Sequence, residues 1–265
     1  MKAKFIITAL LLTTFIGSQA NTNSSEEKNT IVIVHGAWSK AADWENVSNA
    51  LKSKDHEVLI VNLPGHGDDK TPVNTITMQT YVDAVKKVIG TKKNIILVGH
   101  SFGGIVISQV AEELPKQIQK LIYIAAYIPK DGESLLSIAQ ADSQSRIGQY
   151  LKVNEKEGTV VIAKEGVIEV FAADAPKHIG DYIASTIQPE PLLPLTTPVK
   201  LSSTQFGKVK KAALLTTEDN TIGIMLQEKM AKDAGIENLV FLKASHTPFI
   251  AQAEKLIQFL SEQAK

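Results

Sequence analysis

The sequence predicts an α/β architecture, a mostly parallel and doubly wound sheet with an inserted cap. Short apolar, β-branched runs alternate with amphipathic stretches of helical period along most of the chain. One of those runs, Ile95-Ile96-Leu97-Val98, leads straight into Gly99-His100-Ser101-Phe102-Gly103, and a second apolar-periodic segment, Ile105 through Val110, follows at once. Between 129 and 206 the alternation lapses. There Pro129, Pro176, Pro189, Pro191, Pro194 and Pro198 punctuate short helical patterns and polar segments.

The elements follow in order. Residues 31–34 read as a buried strand, and 41–53 as a helix with Trp44, Val47 and Leu51 on one face. The strand at 58–61 is stopped by Pro64-Gly65-His66-Gly67. Tyr81, Val82, Val85 and Val88 mark a second helix that ends near Gly90. The strand at 95–98, a helix reaching Leu114 before Pro115, and a strand at 121–124 complete the first half. Regular order resumes with a strand at 212–215, a helix near 222–234, a strand at 239–242 and a terminal helix from Pro248 onward. The core is therefore expected at 31–128 and 207–265, with the cap at 129–206. In a parallel sheet the loops leaving the carboxyl ends of the strands build the ligand site.

A chain of 265 residues supports one sizeable α/β domain or two small ones. Its 44% of hydrophobic residues suffices for a continuous core and is too little for a polytopic membrane protein. Lys+Arg and Asp+Glu both number 28, and no basic patch interleaved with aromatics occurs, so no nucleic-acid partner is expected. Residues 1–20 read as a signal peptide. Lys2 and Lys4 precede an apolar stretch at 5–16 that is too short to span a bilayer comfortably, and Ser18-Gln19-Ala20 supplies small residues for cleavage. Residues 21–30 are polar and without apolar period, a flexible leader. The expected product is exported, periplasmic or secreted, with no stable membrane insertion once the signal is removed. Cysteine is absent, which excludes disulfides, thiolate catalysis and cysteine zinc sites.

A serine that attacks an acyl carbon must stand at a sharp strand-to-helix bend, and the glycines around Ser101 suit the crowding there. Such a serine needs a base, itself oriented by a third group. His246 is the candidate base, in the loop between the last strand and the final helix. Asp219 is the candidate acid, just past the strand at 212–215, with Glu218 and Asp131 as competitors. The chain order Ser101, Asp219, His246 suits a nucleophile-elbow hydrolase. Two backbone donors are needed for an oxyanion, and the N–H groups of Phe102 and Ala37 are the candidates, with Gly36 permitting an unusual turn. His35 is read as structural, fixing that turn through its ring nitrogens, and His100 as packing or pocket floor. His66 stands in a turn that could border the pocket, while His56 and His178 read as exposed. No histidine pair has the helical spacing of a metal site, and neither a dinucleotide fingerprint nor a Walker loop occurs, so no metal and no cofactor is expected.

Taken together, His35-Gly36-Ala37-Trp38, Gly99 through Gly104, Thr217-Glu218-Asp219 and Ala244-Ser245-His246 resemble the α/β-hydrolase superfamily. More narrowly they are similar to the branch of plant methyl esterases, hydroxynitrile lyases and bacterial pyrethroid-hydrolase-like esterases. The resemblance runs from about Thr30 to the C-terminus. It implies the α/β-hydrolase fold, the triad Ser101, Asp219 and His246, and oxyanion donors at Ala37 and Phe102. Lyases of that branch carry a threonine after the first-strand histidine and a lysine after the catalytic histidine. Here those positions are Gly36 and Thr247, which leaves no ammonium for a departing cyanide. The expected function is serine-dependent hydrolysis of small, mostly apolar carboxylic esters. A lyase or other non-hydrolytic enzyme, or a ligand-binding protein on the same scaffold, are the rivals. Trp38, Tyr127, Leu135, Phe171 and Phe206 are candidate substrate contacts, the last three equally readable as cap core. Oligomeric state and ester preference are not legible.

Overall fold

The computed structural model describes residues 29–265, so the expected signal peptide at 1–20 and most of the leader at 21–30 lie outside the described residues. The first strand, β1 (Thr30–Val34), is buried along its whole length. Ile31 and Ile33 enter one core layer and Val32 and Val34 the other, as the two-residue period of a strand requires. A 3₁₀ turn at Ala41–Trp44 leads into α1 (Glu45–Lys52), so the helix expected over 41–53 begins in a tighter winding. β2 (Glu57–Val61) follows, then α2 (Met78–Ile89), which Thr77 caps by accepting the Thr80 N–H at 3.1 Å. Gly90, at φ +55°, ends it. β3 (Ile95–His100), α3 (Gly103–Glu113) and β4 (Ile118–Ile124) complete the first half. Helix α3 is apolar nearly all round and correspondingly buried.

Seven helices and strands, with 3₁₀ turns at Ile147–Gln149 and Phe206–Lys208, lie between β4 and the return to the core: α4 (Leu135–Ala139), β5 (Leu151–Asn154), β6 (Thr159–Ile162), α5 (Lys164–Phe171), α6 (Lys177–Thr186), β7 (Glu190–Pro191) and α7 (Leu192–Thr196). Strands β5, β6 and β7 make a small antiparallel sheet that the sequence does not announce. Strand β5 is exposed throughout and carries no alternating pattern, and β7 is two residues long and contains a proline, admissible only at a sheet edge. The core resumes with β8 (Lys210–Thr216), α8 (Ile224–Asp233) and β9 (Asn238–Leu242). The expected terminal helix is two, α9 (Pro248–Ala251) and α10 (Ala253–Gln263), because Gln252 leaves the helical region at φ −128°, ψ 33°.

Six strands pair in the order β2-β1-β3-β4-β8-β9, all parallel. One core layer packs α2, α3 and α8 on one face, and the other packs α1, α9 and α10 on the opposite face. The sheet is doubly wound. The chain leaves β1 for β2 on one side and returns to place β3 on the other, so the winding reverses between β1 and β3. A crevice opens outside the carboxyl ends of strands at such a reversal. The loops that leave these two strands carry Gly36-Ala37-Trp38 and Ser101.

Candidate active site

Ser101 sits at the end of β3 with φ +52°, a backbone region that residues other than glycine rarely occupy. Its own carbonyl accepts from Gly104 N–H (3.0 Å) and Tyr127 N–H (3.1 Å), and its N–H donates to Ile124 O at 3.3 Å. The bend exists because its neighbours lack side chains. A Cβ on Gly99 would stand 2.7 Å from the backbone of Gly103, and one on Gly103 would stand 2.6 Å from Val34 O. A Cβ on Gly36 would meet the Ser101 Cβ at 2.7 Å. The closeness of three backbone segments lets the β1 loop and the β3 loop share one site. Ser101 is only 6% exposed, and its Oγ makes no hydrogen bond among the described residues.

His246 and Asp219 are brought together, with Nδ1 of the histidine 2.8 Å from Asp219 Oδ2. A carboxylate only accepts, so Nδ1 carries the proton and Nε2 is left with its lone pair. That Nε2 is buried without a hydrogen-bond partner among the described residues. The bond to a serine hydroxyl is thus unmade in the resting structure, as is common before substrate arrives. Asp219 is itself held: Oδ1 accepts the N–H groups of Thr221 (2.7 Å) and Ile222 (2.9 Å), and Oδ2 accepts the Thr216 hydroxyl (2.8 Å). The competing acids stand elsewhere. Glu218 faces Lys243 at 3.4 Å on the surface, and Asp131 accepts the Leu201 N–H at 2.9 Å.

His100 Nε2 lies 2.8 Å from the His246 carbonyl and its ring 4.8 Å from the His246 ring. Burial, and then the nearby His246, push its pKa well below the ordinary histidine value, so it stays neutral beside the candidate base. His35 is structural, as expected. Leu63 N–H donates to its Nε2 (3.1 Å) and its Nδ1 lies 2.8 Å from Gly36 O, which fixes the tautomer. Burial, reinforced by His66, lowers its pKa to about 3. The amides of Ala37 and Phe102 donate no hydrogen bond among the described residues, which leaves both free for an oxyanion.

These two neutral rings predict a pH dependence of stability. Each has a folded pKa below the unfolded value of about 6.5, so unfolding takes up protons below that pH. Their contribution to stability is then full above about pH 6.5 and falls as pH drops toward the folded values, by about 2 kcal/mol for His35 on reaching pH 5 and in the same direction for His100. The urea midpoint is expected to fall between those two pH values. A midpoint that holds or rises would contradict the neutral assignment.

Trp38, Phe171, Ile179, Ile183, Ile187 and Phe249 line a cavity of about 370 Å³ that Ala37, His100 and His246 also reach. Of the five expected substrate contacts, Trp38 and Phe171 line it, their rings 6.0 Å apart. Tyr127, Leu135 and Phe206 do not. Tyr127 and Phe206 are buried in the core layer around α3, and Leu135 packs against that layer from α4. Periodicity identifies such side chains as apolar without telling which layer they enter.

His66 also departs from expectation. It does not border the cavity but is buried 2.8 Å from Glu190, a residue the sequence gives no reason to single out. Burial alone would lower the His66 pKa, but the Glu190 charge and hydrogen bond, with the Pro64 carbonyl, outweigh it and hold the pKa above the ordinary value. Two hydroxyls flank His246, and the sequence does not reveal what they bind. Thr247 donates to Phe171 O at 2.7 Å and Ser245 to the same carbonyl at 3.2 Å and to Asp174, so the histidine loop is tied to the end of α5. Position 247, where a lyase would place its lysine, is occupied by a hydroxyl already committed to the backbone.

The parallel sheet, the serine bend and the Asp219–His246 pair define a member of the α/β-hydrolase class, and the alpha/beta hydrolase family profile matches residues 31–259. The chain belongs to that family. Among its relatives, putative methylesterase 11, chloroplastic, of Arabidopsis thaliana is 29% identical over 254 residues, covering 90% of this chain. The chain spans 65% of that relative's length, and 59% and 56% of the similar putative methylesterases 13 and 15. The pyrethroid hydrolase of Sphingobium wenxiniae is 25% identical over 242 residues, covering 88% of this chain and 86% of its own. Among solved structures, an extracellular alpha/beta-hydrolase from a Paenibacillus species, described as sharing structural and functional homology with tobacco salicylic acid binding protein 2, superposes with a TM-score of 0.78. It is 25% identical and covers 88% of this chain and 98% of its own. Among the described residues, no helix is long and apolar enough to cross a membrane.

Proposed function

We propose that this protein hydrolyses small, mostly apolar carboxylic esters through an acyl-enzyme on Ser101. The observation that supports this best is the buried Asp219–His246 pair at 2.8 Å, whose histidine Nε2 has no hydrogen-bond partner among the described residues, beside a cavity that His246, Ala37 and His100 reach. In the first half-reaction Ser101 Oγ attacks the ester carbon while its proton passes to His246 Nε2. The carbonyl oxygen becomes an oxyanion facing the amides of Ala37 and Phe102. The tetrahedral adduct collapses, the carbon–oxygen bond to the alcohol breaks, and His246 returns the proton to the departing oxygen. Water repeats the sequence on the acyl group and frees Ser101 and the acid. Asp219 holds the imidazole tautomer and stabilises the imidazolium.

The lining of Trp38, Phe171 and four aliphatic or aromatic neighbours favours an apolar acyl or alcohol group. Relatives named methylesterase and pyrethroid hydrolase support ester cleavage over the rival chemistries. On this reading residues 129–206 act as the cap that sets ester preference, and the N-terminal pattern addresses the protein for export to the periplasm or medium. The experiment is a mass measurement after treatment with an alkyl fluorophosphonate. Stoichiometric phosphonylation of the peptide holding Ser101, together with turnover of p-nitrophenyl butyrate, is expected. A protein that neither reacts nor turns over the ester is a binding protein or an enzyme of another kind.

A further inference from the structure

We propose that Glu190, on the cap strand β7, is a positioning residue for the turn that presents the Ala37 amide. The inference rests on the ester-hydrolase reading above. Ala37 is followed by Trp38, whose backbone holds φ +57°, a conformation that a bulky side chain keeps only when its surroundings impose it. Two bonds impose it here, and both come from the same small sheet. The Trp38 amide donates to Glu190 Oε2 at 2.8 Å, and the indole Nε1–H donates to Val160 O at 3.0 Å. Val160 and Glu190 are partners in the β6–β7 ladder, so one pair of facing residues grips Trp38 at both ends.

The carboxylate is built into place. Glu190 is fully buried (0% exposed); the Oε2 that accepts the Trp38 amide also meets His66 Nε2 at 2.8 Å, and Oε1 accepts the Tyr81 hydroxyl at 3.2 Å. His66 Nδ1 lies 3.1 Å from Pro64 O, so both of its nitrogens face acceptors and the ring is read as a cation beside the carboxylate. The His66 ring in turn packs edge-on at 4.9 Å against His35, the residue two before Ala37. A buried charge is costly unless fully partnered, and hydrophobic packing would serve stability as well. What hydrophobic packing cannot supply is an acceptor for the Trp38 amide. That acceptor fixes the peptide next to the candidate oxyanion donor, and a misplacement of about 1 Å in such a group can cost about 100-fold in rate. Because the donor is displaced and not deleted, the loss should be smaller than the roughly 10²- to 10³-fold of removing it.

The test compares Glu190→Met, which keeps the side-chain length but removes both acceptor oxygens, with Glu190→Gln, which keeps one acceptor for the Trp38 amide, and with wild type and Ser101→Ala on p-nitrophenyl butyrate, with circular dichroism to check folding. Glu190→Met is expected to lower kcat about 10- to 100-fold with KM within threefold, and Glu190→Gln to recover most of that loss. Affinity of Glu190→Met for an alkyl trifluoromethyl ketone, which forms a tetrahedral adduct on serine, should weaken by the same factor as kcat/KM. A folded Glu190→Met with kcat within twofold of wild type overturns the proposal, and so does a loss confined to KM or one that leaves the ketone affinity unchanged. If Ser101→Ala turns over at the wild-type rate, the hydrolase reading falls and this one with it. If Ser101→Ala is inactive while Glu190→Met is fully active, only this one falls. Amide exchange in the wild-type protein needs no variant. The Trp38 N–H is expected to be strongly protected, and an unprotected Trp38 overturns the anchor outright.

Discussion

Ser101→Ala is expected to lower kcat on p-nitrophenyl butyrate by at least about 10⁴-fold, with a far smaller change in KM. The substitution removes one atom, Oγ, which makes no hydrogen bond among the described residues, so no buried partner is orphaned. The bend itself is made by Gly36, Gly99 and Gly103 and by the bonds at the Ser101 backbone, none of which depend on the hydroxyl. Unfolding free energy should accordingly change by less than about 0.5 kcal/mol. Loss of rate without loss of fold then isolates the chemistry. Activity should fall to the level of binding and oxyanion stabilisation alone, which still exceeds the uncatalysed reaction. Initial rates and urea midpoints measured on the same preparations check both halves. A variant that keeps more than a tenth of the wild-type kcat would show that the ester is cleaved by some other group.

How far such a site can be read from sequence depends on what kind of constraint places each residue. The placement of Ser101, Asp219 and His246 at one edge of the sheet is legible because each follows a strongly apolar strand, β3, β8 or β9, and a parallel sheet delivers all strand ends to one edge. Strand period also makes the two core layers legible, since Ile31 and Ile33 must part from Val32 and Val34. The segment from 129 to 206 obeys no such rule. Its sheet is held by strands of four, four and two residues, too short for alternation to register. Phe171 and Phe206 look alike in sequence, yet one lines the cavity and the other packs against the Lys211 ammonium, 4.2 Å from its ring centroid. Glu190 is the sharpest instance. A single acid between two prolines reads as solvated, and only tertiary structure reveals that His66, Tyr81 and the Trp38 amide converge on it. Thr247 is similar in kind, legible as the absence of a lysine but not as a hydroxyl bound to Phe171 O.

Asp219→Asn is the second large expected loss, about 10⁴-fold in kcat, and the hydrogen bonds around the carboxylate say why an isosteric change is so costly. Oδ1 accepts two backbone N–H groups, from Thr221 and Ile222, that cannot turn away. An asparagine at this position must therefore place its carbonyl oxygen there, because its NH₂ would meet two donors. The NH₂ then occupies the Oδ2 position, facing His246 Nδ1, the Thr216 hydroxyl and, at 3.4 Å, the Gln227 amide nitrogen. The hydroxyl can rotate to accept. The imidazole can satisfy an N–H donor only by presenting a lone pair at Nδ1, which moves its proton to Nε2. A ring protonated at Nε2 cannot take the serine proton, and the imidazolium formed later would face a dipole of the wrong sign. The fold should survive, since every backbone donor keeps an acceptor, and KM should change little. Glu218→Gln, the neighbouring acid that is half-exposed beside Lys243, serves as the comparison and should keep kcat within about twofold. If Asp219→Asn retains more than a tenth of the wild-type kcat while Glu218→Gln loses more, the assignment of the orienting acid is wrong.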